Sequence, residues 1–142
     1  RGPGALQGGR VDIDGAAVQT AQEMARRTGF HFVARFEAHD VRDWTPEPVW
    51  DAVVMNPPFG AQARNRHADR VFLERALQAL RPGGSVWFLA MVTTEGFLNA
   101  FSRDKAARIE RVAVWDYPLE ATMLHHGKEV GLIRVGGYRL AP

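Results

Sequence analysis

"DAVVMNPPFGAQ", residues Asp51 to Gln62, is the stretch that decides how the fold is interpreted. Residues 52–55 are all apolar and predict a short strand, and such a run is typical of the centre of a covered parallel sheet. The run ends on two adjacent prolines, which cannot extend a strand because neither has a backbone N–H to donate. The sequence therefore predicts that Asn56 lies at the carboxyl end of a strand.

Strands and helices alternate on both sides of this stretch. Asp14 is suited to cap the first helix and Gly29 to end it. The alternation predicts an α/β layered sheet, mostly parallel, whose last strand runs antiparallel. The predicted strands are 10–14, 30–40, 51–56, 85–92, 110–119 and 129–140, and the predicted helices are 15–29, 69–80 and 95–109.

The composition narrows the class of protein. We expect a single domain over the 142 residues, with the glycine-rich residues 1–9 as a loop or frayed end. There is no cysteine, which excludes disulfides and thiolate metal sites within this sequence, and no apolar run reaches membrane-spanning length. We expect a cytoplasmic protein with no membrane partner. All but two of the 18 Lys and Arg residues are Arg, which weakly favours a phosphate-bearing partner.

The Asn-Pro-Pro-Phe segment has a chemical interpretation. The amino group on N6 of adenine is a poor nucleophile because its lone pair is delocalised into the ring. Two acceptors aimed at its hydrogens, the Asn56 side-chain oxygen and the Pro57 carbonyl, would free that lone pair. Pro57 and Pro58 fix the backbone, and Phe59 can stack on the base. The alternative is a Pro-Pro turn after a core strand, with Phe59 as an apolar plug.

Several segments together resemble a known family. "MNPPFG" is similar to a motif of the amino-methyltransferases that use S-adenosylmethionine. With "VDID", "RHADRVFLERAL" and "YPLEATMLHHGKEVGLIRVGGYRL", it resembles the archaeal and eukaryotic methyltransferase-like family that methylates adenine N6 in small-subunit ribosomal RNA. The likeness covers roughly Val11 to Leu140. It implies a Rossmann-like class I methyltransferase sheet, S-adenosylmethionine as cofactor and RNA, ribosomal RNA above all, as substrate.

The resemblance also implies residue roles at the cofactor. Asp12 matches the acidic residue that accepts hydrogen bonds from the cofactor's ribose hydroxyls, and Asp40 matches the one near its adenine amine. Val41 would line the adenine slot, and Asn56 would border cofactor and target alike. The alternatives are a helix-terminal acidic residue for Asp12 and a solvated turn residue for Asp40.

Basic residues flank these motifs. Their functional interpretation is contact with RNA phosphates beside the target base, and the alternative is ordinary solvated loop. A His-His pair, His125 and His126, precedes the last strand, but nothing in its spacing supports a metal site. The predicted nucleic-acid contacts are Arg64, Arg66, His67, Arg70 and Lys128.

The sequence departs from the family pattern at its start. The family's first strand, glycine loop and helix are not found ahead of Asp12, so we expect a sheet that lacks them and a chain that binds the cofactor weakly by itself. Three interpretations stay open: adenine methylation in RNA, the same chemistry on DNA, guanine or a protein glutamine, and a catalytically silent RNA-binding or scaffold module. The resemblance also allows a small zinc-containing activator protein that covers an exposed sheet edge.

Overall fold

The computed structural model describes residues 7–57, 66–118 and 131–142, with the side chains of 66–68 excepted. The chain divides into two compact units, the first ending at Trp44 and the second beginning at Thr45. The expectation of a single domain over residues 1–142 stays a prediction, whereas Gly8 and Gly9, expected in a loop over residues 1–9, belong to the first strand and pair with Ala34 and Arg35. Within the described ranges no helix combines the length and the apolar character needed to cross a bilayer.

The first unit is a strand–helix–strand motif. It comprises β1 (Gly8–Asp12), α1 (Gly15–Thr28) and β2 (Ala34–Ala38). β1 and β2 pair in parallel with Asp12 opposite Ala38, so their carboxyl ends lie at the same edge. The His39 N–H donates to the Asp12 carbonyl at 2.9 Å and continues the hydrogen bonding past β2.

Both predicted caps of α1 are confirmed. The Asp14 carboxylate accepts a hydrogen bond from the Ala16 N–H at 2.9 Å and so satisfies one of the free donors of the first turn. Gly29 ends the helix with φ of 80°, a left-handed conformation that a residue without Cβ adopts at little cost. α1 therefore has the bounds predicted from the sequence to within one residue.

The strand predicted over 30–40 is too long at its start. β2 begins at Ala34, and the side chains of Phe30 and Phe32 are 61% and 84% exposed. The reason lies in the helix end: the Phe30 N–H donates back to Ala25, and the Val33 N–H donates to Phe30. These bonds form a turn, so the period-two aromatic pattern at 30–33 does not enter the sheet.

In the part of the second unit that the structure describes, there are four strands and two helices. A single 3₁₀ turn, Val92–Thr94, joins its second strand to its second helix. The elements are β3 (Trp50–Met55), α2 (Arg66–Ala79), β4 (Leu80–Met91), α3 (Glu95–Asp104), β5 (Arg108–Pro118) and β6 (Leu132–Ala141).

The four strands form one sheet in the order β3-β4-β6-β5. β3 and β4 are parallel, whereas β6 runs antiparallel to both β4 and β5. The mixed α/β sheet with an antiparallel last strand, predicted from the sequence, is thereby confirmed. One rung of this sheet joins Met55, Phe88, Tyr138 and Arg111 across all four strands.

The apolar core of this unit lies on one face of the sheet. Alternate residues of β4 and β6 point toward α2 and α3 and bury almost completely, because successive side chains of a strand face opposite sides. The core cluster consists of Leu73, Ala76, Leu80, Val86, Phe88, Ala90, Leu98, Phe101, Tyr138 and Leu140.

Two further expectations are corrected here. The predicted helix 95–109 ends at Asp104, because the chain turns at Ala106, which has φ of 50°, and enters β5 at Arg108. β3 was expected at the centre of a covered sheet, yet it is an outer strand of this four-stranded sheet and Val54 is 80% exposed. Val54 faces away from the side that the helices cover.

Candidate active site at the carboxyl ends of the strands

Asn56 and Pro57 directly follow β3. Asn56 is exposed and Pro57 is buried, so the chain is anchored just beyond an accessible amide. Because β3 and β4 are parallel, this point lies at the edge where ligands bind in open α/β sheets. The other two residues of the motif, Pro58 and Phe59, lie outside the described residues. Asn56 thus occupies the strand-end position that the sequence predicts.

Asp12 ends β1 with a carboxylate that is locally oriented. One oxygen accepts the Asp14 N–H at 3.0 Å, and the other lies 3.4 Å from the Arg10 guanidinium. The hydrogen bond from the Asp14 N–H is the main reason why the pKa of Asp12 lies below its ordinary value; desolvation opposes it, and Arg10 lowers the pKa further. A carboxylate offers about four lone-pair sites, so Asp12 keeps acceptor capacity for two hydroxyl groups.

Asp40 follows β2 and is paired with Arg42, a contact that the sequence interpretation missed. Its carboxylate accepts hydrogen bonds from the Arg42 side chain at 2.5–3.1 Å and from the Arg42 N–H at 2.9 Å. This pairing lowers the pKa of Asp40 to about 2. The local signal for this ion pair is the sequence "DVR", in which an Asp and an Arg are separated by one residue. Val41, between the two, is partly buried.

The structure brings Asp12 and Asp40 to one edge. Both follow the carboxyl ends of paired parallel strands, Asp40 two residues beyond the partner of Asp12. Asp12 fits the predicted role at ribose hydroxyls, because its free lone pairs accept hydrogens. Asp40 fits the role at an adenine amine less well, because Arg42 already occupies much of its acceptor capacity.

Arg70 is part of an ion-pair network between α2 and α3. Its guanidinium donates to Glu74 at 3.0 Å and to Asp104, and it lies 5.5 Å above the ring of Phe101. These contacts raise its pKa further and tie it to the protein surface. A phosphate would have to compete with two carboxylates for this side chain, so the predicted RNA contact of Arg70 is the weakest of the set.

The other predicted RNA contacts cannot be placed. Arg64 and Lys128 lie outside the described residues, as do His125 and His126. α2 begins at Arg66, and the side chains of Arg66 and His67 are not among those described. Their role in RNA binding stays a prediction.

A polar cluster on the helix-covered face was not anticipated. Oε1 of Glu95 accepts hydrogen bonds from the Tyr138 hydroxyl and from the Arg111 guanidinium, both at 2.8 Å. Tyr138 is only 3% exposed, and burial, with the Glu95 hydrogen bond second, raises its pKa well above the ordinary value. The three residues are far apart in the chain, and no local pattern signals their contact.

Comparison with known proteins gives the class first. The chain superposes with a TM-score of 0.72 on a proposed RNA methyltransferase of Pyrococcus horikoshii, at 24% identity over 95% of this chain and 63% of the other. The molecule therefore has the α/β methyltransferase fold. Residues 5–103 match the methyltransferase small domain family, and the chain belongs to that family.

Two curated relatives add detail. An uncharacterized protein of Methanocaldococcus jannaschii is 29% identical over 140 residues, which cover 92% of this chain and 61% of that protein. The rRNA N(6)-adenosine-methyltransferase METTL5 of Danio rerio is 30% identical over 93 residues, which cover 66% of this chain and 44% of the relative. This chain thus spans about three fifths or less of the length of these relatives.

Proposed function

We propose that this protein transfers a methyl group from S-adenosylmethionine to the N6 amino group of an adenine in RNA, with ribosomal RNA as the substrate class. The observation that carries the proposal is an exposed Asn56 followed by a buried Pro57 at the carboxyl end of β3. Membership of a methyltransferase family and the activity for which the Danio rerio relative is named support it.

The chain's own residues supply positioning and electrostatics. The Asn56 side-chain oxygen and the Pro57 carbonyl accept the two amine hydrogens and so favour a tetrahedral nitrogen with an available lone pair. Proline at 57 removes a competing N–H donor and holds φ fixed, so the acceptors are oriented before the base arrives. S-adenosylmethionine would supply an electrophilic methyl group and leave as S-adenosylhomocysteine, and the proton of the methylated amine would pass to solvent.

The adenosine half of the donor would contact the first unit. Asp12 would accept hydrogen bonds from the ribose hydroxyls, since it keeps free lone pairs beside its bond to the Asp14 N–H. Asp40 and Val41 would border the adenine, with Arg42 sharing the Asp40 carboxylate. This assignment rests on the carboxylates' position at the ends of β1 and β2.

RNA contact would come from the basic residues near the strand end. Arg64, Arg66 and His67 lie within eight residues after Phe59, which suits them to contact phosphates beside an extruded base. Lys128 would add a contact from the segment before β6. A small zinc-containing activator stays a prediction, and none of the comparisons supports it.

The proposal is tested with radiolabelled S-adenosylmethionine and a panel of acceptors. The panel contains a structured RNA, the same RNA with every adenine replaced by purine, which lacks the N6 amine, the matching DNA, and a glutamine-containing peptide. We expect label to enter the unmodified RNA and none of the other three.

Each other outcome has a definite meaning. Label in the purine-substituted RNA would exclude adenine N6 as the acceptor, and label in DNA or peptide would change the substrate class. A protein that binds RNA but transfers no label to any acceptor, although it binds S-adenosylmethionine, would overturn the enzymatic proposal in favour of a binding module.

A further inference from the structure

A small pocket of about 240 Å³ opens on the helix-covered face of the second unit. It combines two aliphatic side chains with four that can hydrogen bond, contributed by α3, β5 and β6. Its size is below the 300–1,000 Å³ typical of sites for larger ligands, so it suits one planar ring. The lining residues are Glu95, Leu98, Asn99, Ile109, Arg111 and Tyr138.

The pocket lies near the same sheet edge as Asn56. β3 and β4 are parallel, and Glu95 comes four residues after the end of β4, as Asn56 comes one residue after the end of β3. Tyr138 and Met55 lie on the same rung of the sheet, two strands apart. Because neighbouring strands are 4.7–4.9 Å apart, the backbones of these two residues are separated by about 10 Å. A short stretch of single-stranded RNA can span that separation.

The hydrogen-bonding capacity of the pocket is specific. Glu95 uses one carboxylate oxygen for both Tyr138 and Arg111, and among the described residues no partner is recorded for the other oxygen. Asn99, one helical turn further along α3, adds an exposed amide on the same side. Arg111 commits one of its five N–H donors to Glu95. The pocket therefore presents acceptors beside a guanidinium.

We propose that this pocket binds a guanine base of the RNA near the target adenine, an inference that rests on the proposed function. Guanine carries two adjacent donors, N1–H and the N2 amine, which suit a carboxylate and a side-chain amide. Its O6 and N7 acceptors suit Arg111, since arginine to O6 and N7 is the commonest specific contact with guanine. Adenine places an acceptor at N1, which would face the Glu95 carboxylate and be repelled.

The apolar part of the lining comes mainly from one side chain. Ile109 is partly buried and can contact a planar ring, whereas Leu98 lies almost wholly within the core behind it. The buried Tyr138 hydroxyl and Arg111 hold Glu95 from two sides, which fixes its rotamer before a ligand arrives. A preoriented carboxylate discriminates between ligands more strongly than a mobile one does.

The test is a calorimetric titration of the protein with guanosine monophosphate, inosine monophosphate and adenosine monophosphate. Inosine monophosphate lacks only the N2 amine, and we expect it to bind about five- to 150-fold more weakly than the guanosine nucleotide, with adenosine monophosphate weaker still. Glu95→Gln replaces one acceptor with a donor, and Asn99→Ala removes the amide without touching the Tyr138 and Arg111 bonds. Both should weaken guanosine monophosphate binding.

Glu110→Gln is the matched control, because Glu110 is exposed on β5 beside Arg111 but faces the other side of the sheet. It should leave the affinity unchanged. Equal affinity for the three nucleotides, no binding at millimolar concentration, or insensitivity to Asn99→Ala in a folded variant would overturn the proposal. Preferential binding of arginine amide would overturn it in favour of a protein partner.

The titration contains neither methyl donor nor target adenine, so its result is independent of the proposed reaction. A protein that methylates adenine but does not bind guanosine monophosphate would overturn this pocket alone. One that binds the nucleotide through Glu95 but transfers no methyl group would overturn the proposed function alone.

Discussion

The two units place different chemistry at the carboxyl ends of their strands. At the ends of β1 and β2 stand carboxylates, Asp12 and Asp40, each already held by local hydrogen bonds. At the end of β3 stand uncharged acceptors, the amide of Asn56 and the carbonyl of Pro57. Carboxylates suit the hydroxyl groups of a ligand that is bound without reacting at that point, whereas the amide and carbonyl oxygens suit the hydrogens of the amine that reacts.

The difference teaches how one fold separates binding from chemistry. The N6 amine is barely basic because its lone pair is delocalised into the ring, so it needs acceptors for its hydrogens rather than a base. The amide of Asn56 and the carbonyl of Pro57 can polarise it in this way. We therefore expect variants at the carboxyl ends of β1 and β2 to alter the affinity for the methyl donor, and variants at the carboxyl end of β3 to alter the rate of methyl transfer.

The largest effect is expected at the carboxyl end of β3, on the rate of methyl transfer. Asn56→Ala should lower the rate of methyl transfer by on the order of 10²–10³, because one preorganised acceptor at the reacting amine is lost. Donor affinity should change little. Gln78→Ala, which removes an exposed amide from α2, is the control. Transfer by Asn56→Ala at a rate close to that of the wild type would remove the main mechanistic claim.

A smaller effect is expected at the carboxyl end of β1, on the affinity for the methyl donor. Asp12→Asn should weaken S-adenosylmethionine binding by roughly 10- to 100-fold, since hydrogen bonds to a charged group contribute about 1.5–3 kcal/mol. The transfer rate at saturating donor should stay near that of the wild type. Titration calorimetry with single-turnover kinetics separates the two quantities. An unchanged affinity for S-adenosylmethionine would mean that Asp12 only supports the chain before α1, where its carboxylate accepts the Asp14 N–H.

Salt dependence tests the basic residues. Replacing Arg64 and Arg66 with Ala should reduce the slope of log affinity for RNA against log salt by about 1.4, which is two phosphate contacts on a single strand. Adding Arg70→Ala should reduce it by much less than a further contact, because Glu74 and Asp104 already engage that side chain. If the Arg70 variant instead lowers the slope by as much as each of the other two variants does, RNA must displace the ion pairs of Arg70 with Glu74 and Asp104.

The smallest effect is a dependence on pH at Asp40. Its pKa in the folded protein is about 2, below the ordinary 3.8, so the Arg42 pair stabilises the fold above about pH 4 and this stabilisation is lost as the pH falls toward 2. Asp40→Asn should therefore differ from the wild type in urea midpoint at neutral pH, and the gap should close near pH 2. Asp43→Asn is the control. A carboxylate resonance of Asp40 with its titration midpoint near 3.8 would contradict the pairing.

The sequence predicts the end of β3 and both ends of α1 more accurately than it predicts β1 and β2, which end at Asp12 and Ala38, two residues earlier than expected. The apolar run before Asn56, the Asp14 cap and the Gly29 end each depend on neighbouring residues, and all three are found as predicted. The aromatic alternation at Phe30 and Phe32 is misleading, because the closing turn of α1 takes the backbone hydrogen bonds that a strand would need.

Contacts between distant residues could not be predicted. Glu95 and Tyr138 are 43 residues apart and meet only because β6 runs antiparallel beside β4, which places Tyr138 under the start of α3. Arg70 was predicted to contact RNA phosphates, but the packing of α2 brings it against Asp104 of α3. Such pairs depend on strand order and helix packing, which no local pattern specifies.

The most direct test of the central claim is the identity of the methylated atom. RNA incubated with the protein and isotopically labelled S-adenosylmethionine is digested to nucleosides and analysed by mass spectrometry. We predict that N6-methyladenosine carries the label in the wild type and that Asn56→Ala yields little of it. Label on guanine, on the ribose or on a ring carbon would contradict the account, because none of these places an amine between the acceptors of Asn56 and Pro57.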